Sequence, residues 1–191
     1  MSPVGRARIH WMASRLDAFR PQPDRHADDP IGVAVCRQAL QALTEGNYGV
    51  GAVIADRTGN IILSARNQVF EPTFRSDGHA EMIAIDALES HHPDADPSSL
   101  TLYASLEPCP MCLSRLKIAG VGRVRYLAPD DVGGMVHLHD RLPPIWRLLN
   151  PDQDFSMADV SPALSRIAGR LFQVNLRGLR RRLLARTHPD R

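Results

Sequence analysis

Cysteine is scarce in this chain. It has three in 191 residues, an odd number that cannot build a disulfide framework and sets a reducing, cytoplasmic location as the expectation. Lysine is scarcer still: Lys117 stands alone among 23 basic residues, a bias read as genome composition rather than function. No uncharged apolar run approaches the roughly 18 residues of a membrane span. The opening stretch MSPVGRARIHWMASRLDAFR has arginines but no continuous apolar core, unlike a secretory signal. No membrane partner is expected. Internal repeats and low-complexity tracts are missing as well.

What is present fits one domain, with 43% hydrophobic residues to fill a core. Charge is unevenly spread. Residues 166–191 hold eight arginines against Asp190, so the net +2 of the chain divides into +7 for this tail and −5 for the rest. Such a tail meets phosphates or lies as the wet face of an amphipathic helix.

Residues 1–29, with Pro21, Pro23 and the charged run DRHADD, read as a peripheral segment carrying at most a short helix. The domain proper is expected over 30–187. PIGVAVCRQALQALTEG has helical spacing, a proline suited to a first turn and Gly46 as a stop. VGAVIADRTGNIILSARN reads as a hairpin. Next come a helix opening at His79, a buried strand LTLYASL, a helix CPMCLSRLKIAG ended by Gly120 and a strand RVRYLA. Residues 128–153 read as loop-rich and DFSMADV as a weak fifth strand. One basic amphipathic element closes the chain, with Leu164, Ala168, Leu171, Leu179 and Leu183 along one side. Strands alternating with helices imply an α/β layered domain.

LEPCPMC places Cys109 and Cys112 three residues apart at a helix start, where the helix dipole and free N–H groups favour thiolates. That suits a redox pair, a structural zinc clip or part of a catalytic metal site. GHAEM, thirty residues upstream and also at a strand-to-helix junction, separates them. His79, Cys109 and Cys112 supply three zinc ligands and leave a fourth place open, as catalytic sites do. Glu81, two residues from a ligand, is positioned to take a proton from a water in that place and pass it on.

H-x-E followed by P-C-x-x-C is the known signature of zinc deaminases, and HAE with PCPMC matches it in order. With VGAVIAD, RNQ and GRVRYLAPDD, the chain resembles the cytidine deaminase-like superfamily from about residue 31 to 182, in the branch of tRNA adenosine, guanine and cytosine deaminases. The resemblance implies a three-layer α/β/α sandwich with a central five-stranded mixed sheet, one Zn2+ per chain and a homodimer. It implies that Asn67 points its amide at the base or sugar, with backbone groups near Ala80 and Leu106 serving the base edge and the attacked carbon. A base or nucleoside is the expected substrate. RNA, held by the arginine-rich C-terminal helix, is the alternative. Relatives that edit tRNA usually carry D-x-K-x-G-A after the fourth strand, where this chain has PDDVGGMVHLHD without a lysine; they also carry Ala or Thr-Ala before HAE, where it has SDG.

Other residues have plainer readings beside the functional ones. Asn67 suits the cap of a turn. Phe70, Phe74 and Trp146 suit the core better than a stacking surface. His137 and His139 in HLHD read as loop histidines rather than a second metal cluster, His91 and His92 as the exposed end of a helix, and Cys36 as a small core residue. Glu107 reads as a group orienting the loop beside the cysteines, without a catalytic role.

Overall fold

The computed structural model describes residues 3–187. Helices α1 (Pro3–Ala18) and α2 (Asp29–Thr44) precede a hairpin of β1 (Gly51–Ala55) and β2 (Ile61–Arg66). Helix α3 (Ala80–His91), strand β3 (Thr101–Ala104), helix α4 (Pro110–Ala119) and strand β4 (Arg123–Tyr126) follow. A loop-rich connection with the short helix α5 (Pro144–Leu148) leads to β5 (Asp154–Met157), then α6 (Pro162–Gln173) and α7 (Leu176–Thr187).

The sheet order is β2-β1-β3-β4-β5. β1 pairs antiparallel with both β2 and β3, whereas β3–β4 and β4–β5 are parallel. Parallel neighbours need crossover connections, which α4 and the segment before β5 supply. The sheet is therefore mixed and five-stranded, and helices cover both faces: α2 packs with α6, α3 with α4. Fully buried β1 reads as a continuous apolar run because it lies between these layers. Its first residue, Gly51, lies so close to the Val35 carbonyl of α2 that a Cβ would collide with it. Gly120 ends α4 at φ +73°, a left-handed conformation that glycine adopts without a Cβ penalty. Among the described residues no helix is long and apolar enough to cross a membrane.

Two expectations change. The segment 1–29 is not peripheral in its packing: Ile9, Met12 and Leu16 of α1 join the main core, and α1 packs on α2 and α6. The charged run after it is equally engaged. Buried Asp29 accepts the N–H groups of Ser161 (2.8 Å) and Gln22 (3.1 Å), and Asp28 accepts the Tyr103 hydroxyl (3.0 Å) and the Asp159 N–H (2.8 Å). Buried N–H groups must find acceptors, and these aspartates provide them where the N-terminal segment meets the start of α6. The terminal basic element is two helices, not one. They break at Val174 and Asn175, and the Asn175 amide donates to the Asn47 carbonyl (2.7 Å). Leu164, Ala168 and Leu171 are fully buried as expected, while Leu179 and Leu183 on α7 are half-exposed.

The burial of Met12, only 2% exposed, predicts that Met12→Ala lowers the free energy of unfolding by about 2–3 kcal/mol. Urea melts followed by circular dichroism measure it. A change below about 0.5 kcal/mol, typical of surface positions, would return α1 to the periphery.

Candidate active site

The site forms where β2 and β3 end and α3 and α4 begin, at one edge of the sheet. Ser105, just after β3, donates its N–H to the Gly51 carbonyl (2.9 Å) and accepts the Gly51 N–H on its hydroxyl (3.0 Å). This locks the strand end from which the loop to α4 departs. On the other side, Gln68 donates to the Gly78 carbonyl (2.8 Å). That bond closes the 67–78 loop on itself and brings Asn67 alongside His79.

His79 is the N-cap of α3 and Cys109 the N-cap of α4, both in extended conformation and neither capping its helix with its side chain. An N-cap side chain usually accepts an N–H bond from the first turn. Here the two side chains turn towards each other instead, and Cys112, one turn into α4, joins them. The His79 Nδ1 lies 3.6 Å from the Cys109 Sγ and 3.5 Å from the Cys112 Sγ. A tetrahedral zinc with sulfur at about 2.3 Å and nitrogen at about 2.0–2.1 Å would separate such ligands by roughly 3.6 Å. The three donor atoms lie within 4.8 Å of one another and form the one cluster of this kind among the described residues. The donor set and its spacing fit zinc.

The electrostatics suit the same purpose. Cys109 is brought down to about 4, first by the hydrogen bond from Cys112, then by His79 against the opposing effect of burial. Cys112, which gives that hydrogen bond, is pushed well up. Burial pulls His79 down, but its contact with Cys109 and the charge of Glu81 outweigh burial and raise it. Glu81 lies in the first turn of α3 and is 4% exposed. Burial raises its carboxyl above the ordinary carboxylate range, against the attraction of His79. A buried carboxyl poised to hold or release a proton beside a triad whose donors fit a metal ion has the character of a general acid–base group.

The remaining predicted residues divide. Ala80 is fully buried at the start of α3 and Leu106 is buried just before Glu107. Asn67 is buried, and its Oδ1 accepts the Val69 N–H (3.1 Å), the turn-capping contact. Among the described residues its Nδ2 has no protein partner. Phe70 is core, its ring against Tyr48 and Phe74. Phe74 is half-buried, as is Trp146 on α5, which lies outside that ring cluster. Cys36 is fully buried.

Glu107 orients a loop, but it is the one after β4 and not the one carrying the cysteines. Its carboxylate accepts the N–H groups of His137 (2.9 Å) and Asp130 (3.1 Å) and contacts the His137 Nδ1 (2.8 Å). His139 lies instead 3.4 Å from the ammonium of buried Lys117. HLHD is therefore a pair of loop anchors, not a metal cluster.

Three residues escape the sequence reading. Asn47, fully buried, accepts the N–H groups of Phe70 (2.8 Å) and Glu71 (3.0 Å) and donates to the Glu71 carbonyl (3.2 Å). In sequence it looks like any asparagine after a helix-ending glycine. Arg182 pairs with Glu71 (3.0 Å) and lies 4.9 Å from the centre of the Phe70 ring. Arg186 stacks 3.7 Å from the centre of the Phe74 ring. Helix α7 thereby grips the loop that leads to His79.

Comparison with known proteins follows the same lines. Over 98 residues the chain is 37% identical to the tRNA-specific adenosine deaminase of Bacillus subtilis, covering 51% of this chain and 60% of that enzyme. A Schizosaccharomyces pombe protein named "Probable cytosine deaminase" is 30% identical over 119 residues, 60% of this chain and 71% of its own length. The guanine deaminase of Nitrosomonas europaea superposes with a TM-score of 0.55 over 91% of this chain and 94% of that one, at 17% identity, a likeness of fold. Residues 31–128 match the cytidine and deoxycytidylate deaminase zinc-binding region, and the chain belongs to that family.

Proposed function

We propose that this protein hydrolyses the exocyclic amine of a nucleobase, free or as a nucleoside, to a carbonyl, releasing ammonia. The observation that carries the reading is the pair of helix N-caps that cap nothing and converge, with Cys112, on one point beside a buried carboxylate. In this reading His79, Cys109 and Cys112 hold one zinc ion per chain. Zinc, when bound, supplies Lewis acidity that brings the pKa of a water down to about 7. Glu81 moves the protons. A carboxylate oxygen takes one from the attacking water and delivers it to the ring nitrogen next to the amine-bearing carbon. The second water proton travels by the same carboxylate to the amine as the carbon–nitrogen bond breaks. One water enters and one ammonia leaves, so Glu81 ends as it began. Asn67, its Oδ1 engaged by Val69, offers Nδ2 as a donor to the base or sugar, and the backbone at Ala80 and Leu106 flanks the reacting carbon.

A free base or nucleoside is the first reading for the pocket itself, because Arg182 and Arg186, the terminal-helix cations that reach the loop leading to His79, are engaged with Glu71, Phe70 and Phe74. A second reading, deamination of adenosine within tRNA, draws on the Bacillus subtilis relative. Ammonia release from a panel of bases and nucleosides, with and without tRNA, decides between them. Release from tRNA alone would sink the first reading.

Purified protein is expected to hold about one zinc per chain by elemental analysis, and Cys109→Ala or Cys112→Ala to lose both metal and turnover. Full metal content in both variants would overturn the ligand assignment. Glu81→Gln keeps the size of the side chain but cannot carry a proton. It is expected to retain zinc while turnover falls by about 10²-fold or more, and near-normal turnover in a zinc-loaded variant would give the proton transfers to another group.

The grip of α7 on the 70–74 loop generates a separate expectation. Arg186→Ser removes the contact over Phe74, and loosening that loop should raise KM for a small base by roughly threefold or more while leaving kcat within about twofold, as for lost uniform binding. Steady-state kinetics reads the split. Unchanged KM would make the stacked arginine an ornament of the surface.

A further inference from the structure

We propose that the face formed by α1, α6 and the start of α7 is a docking track for a single-stranded polynucleotide, centred on Trp11. The inference does not rest on the deaminase reading, because the track belongs to the helices on the α2–α6 side of the sheet, whereas the His79 cluster is built on α3 and α4.

Seven arginines (Arg8, Arg15, Arg166, Arg170, Arg177, Arg181 and Arg182) line the hollows of this face against one acid, Glu71, which pairs with Arg182, so positive potential concentrates here although the chain as a whole is near neutral. Arg8, Arg15, Arg166 and Arg170 are exposed and have no carboxylate partner among the described residues. On other faces Arg66 pairs with Glu45, Arg115 with Asp86 and Glu89, and Arg125 with Asp154. What sets this face apart is that its unpaired arginines are grouped along adjoining hollows, where their charge adds up for an anion.

Trp11 lies in their midst. The residue is 48% exposed, with the guanidinium of Arg15 5.4 Å and that of Arg170 5.9 Å from its ring centre. Both are within cation–π range. A large ring held half in water between two planar cations offers a base a stacking platform, with phosphate partners on either side.

The shape selects a polymer. The groove between α1 and α6 has a volume of about 220 Å³, below the roughly 300–1,000 Å³ of pockets that enclose a small ligand. It does not end there. Trp11, Met12 and Arg170 wall a second hollow, which shares Arg8, Gln173 and Val174 with a trough of about 790 Å³ beside α7. Three concavities joined end to end, open and arginine-lined, suit an extended anionic chain. A plane of lipid headgroups would meet the ridges of such a surface and miss its floor.

Fluorescence anisotropy of a labelled oligouridine, titrated with the full-length protein between about 50 and 200 mM salt, tests the proposal. The wild type is expected to bind, with affinity falling as salt rises. The double variant Arg15→Ser, Arg170→Ser should weaken binding at least tenfold and flatten the log–log salt slope by roughly 1.4, the loss of two single-strand phosphate contacts. Trp11→Leu should weaken binding by about fivefold or more and leave the slope unchanged. These side chains are exposed, so circular dichroism should be unaltered; if the double variant melts early, Arg170→Gln alone takes its place. Absence of binding by the wild type overturns the proposal. So does binding that survives these substitutions but is lost in Arg177→Ser, Arg181→Ser, which would assign it to α7 alone. Stronger binding to phosphatidylserine vesicles than to oligouridine overturns it in favour of a membrane surface.

Discussion

Two helices begin at the same point in space, and the rest of the site depends on it. Each helix start brings unpaired N–H groups and a positive dipole end, so bringing two together is unfavourable unless negative charge lies between them. Cys109 brings thiolate character, supported by a hydrogen bond from Cys112, and Glu81 brings a buried carboxyl. The arrangement is self-consistent: the helix starts favour the charges that a cation binds, and a cation would draw the two helix starts together. The sheet makes this meeting possible, because the antiparallel β1–β3 pair puts the end of β3 beside the beginning of β1, which itself pairs with the end of β2.

Around that point the supporting contacts are mostly backbone N–H groups held by buried side chains. Glu107 fixes the loop after β4 and Asn47 fixes the loop after β2. Among the described residues neither side chain bonds to the His79 cluster, and each sets the path of a loop bordering it. A carboxylate accepting two N–H groups is a charge-assisted anchor, stronger than a neutral one. This accounts for Glu107 lying below the ordinary carboxylate range even though burial pushes it up.

The sequence exposed the triad because each member sits at a junction readable locally: apolar strand, turn, ligand, helix. The hairpin, the helix opening at His79 and the αL glycine at 120 were legible for the same reason. What stayed hidden depends on partners far along the chain. Asp28 and Asp29 read as a solvated charged run, yet their partners Asp159 and Ser161 lie 131 and 132 residues away. The apolar positions of α1 are spread among arginines, and only the presence of α2 and α6 turns Ile9, Met12 and Leu16 inward. Asn47 looked like turn chemistry, since its contact with the 70–71 backbone spans more than twenty residues. Periodicity gives the basic stretch a wet face opposite Leu179 and Leu183. It could not show the aromatic ring beneath Arg186.

Helix α7 shows why a basic tail cannot be assigned one role from composition. Successive residues of a helix point about 100° apart, and residues four apart share a face. Arg182 and Arg186 are one such pair, and both reach the loop carrying Phe70 and Phe74. Arg177 and Arg181 are another, about 100° round the helix, and both line the trough that opens towards α6. Arg182 touches the trough as well, at the border between the two faces. The same helix therefore spends cations on holding a loop of its own chain and leaves others facing solvent. Only the second set retains charge free for a partner, because the first is offset by Glu71 or covered by aromatic rings. An arginine count overstates the electrostatic reach of the tail, and the face on which each guanidinium lies decides what it can bind.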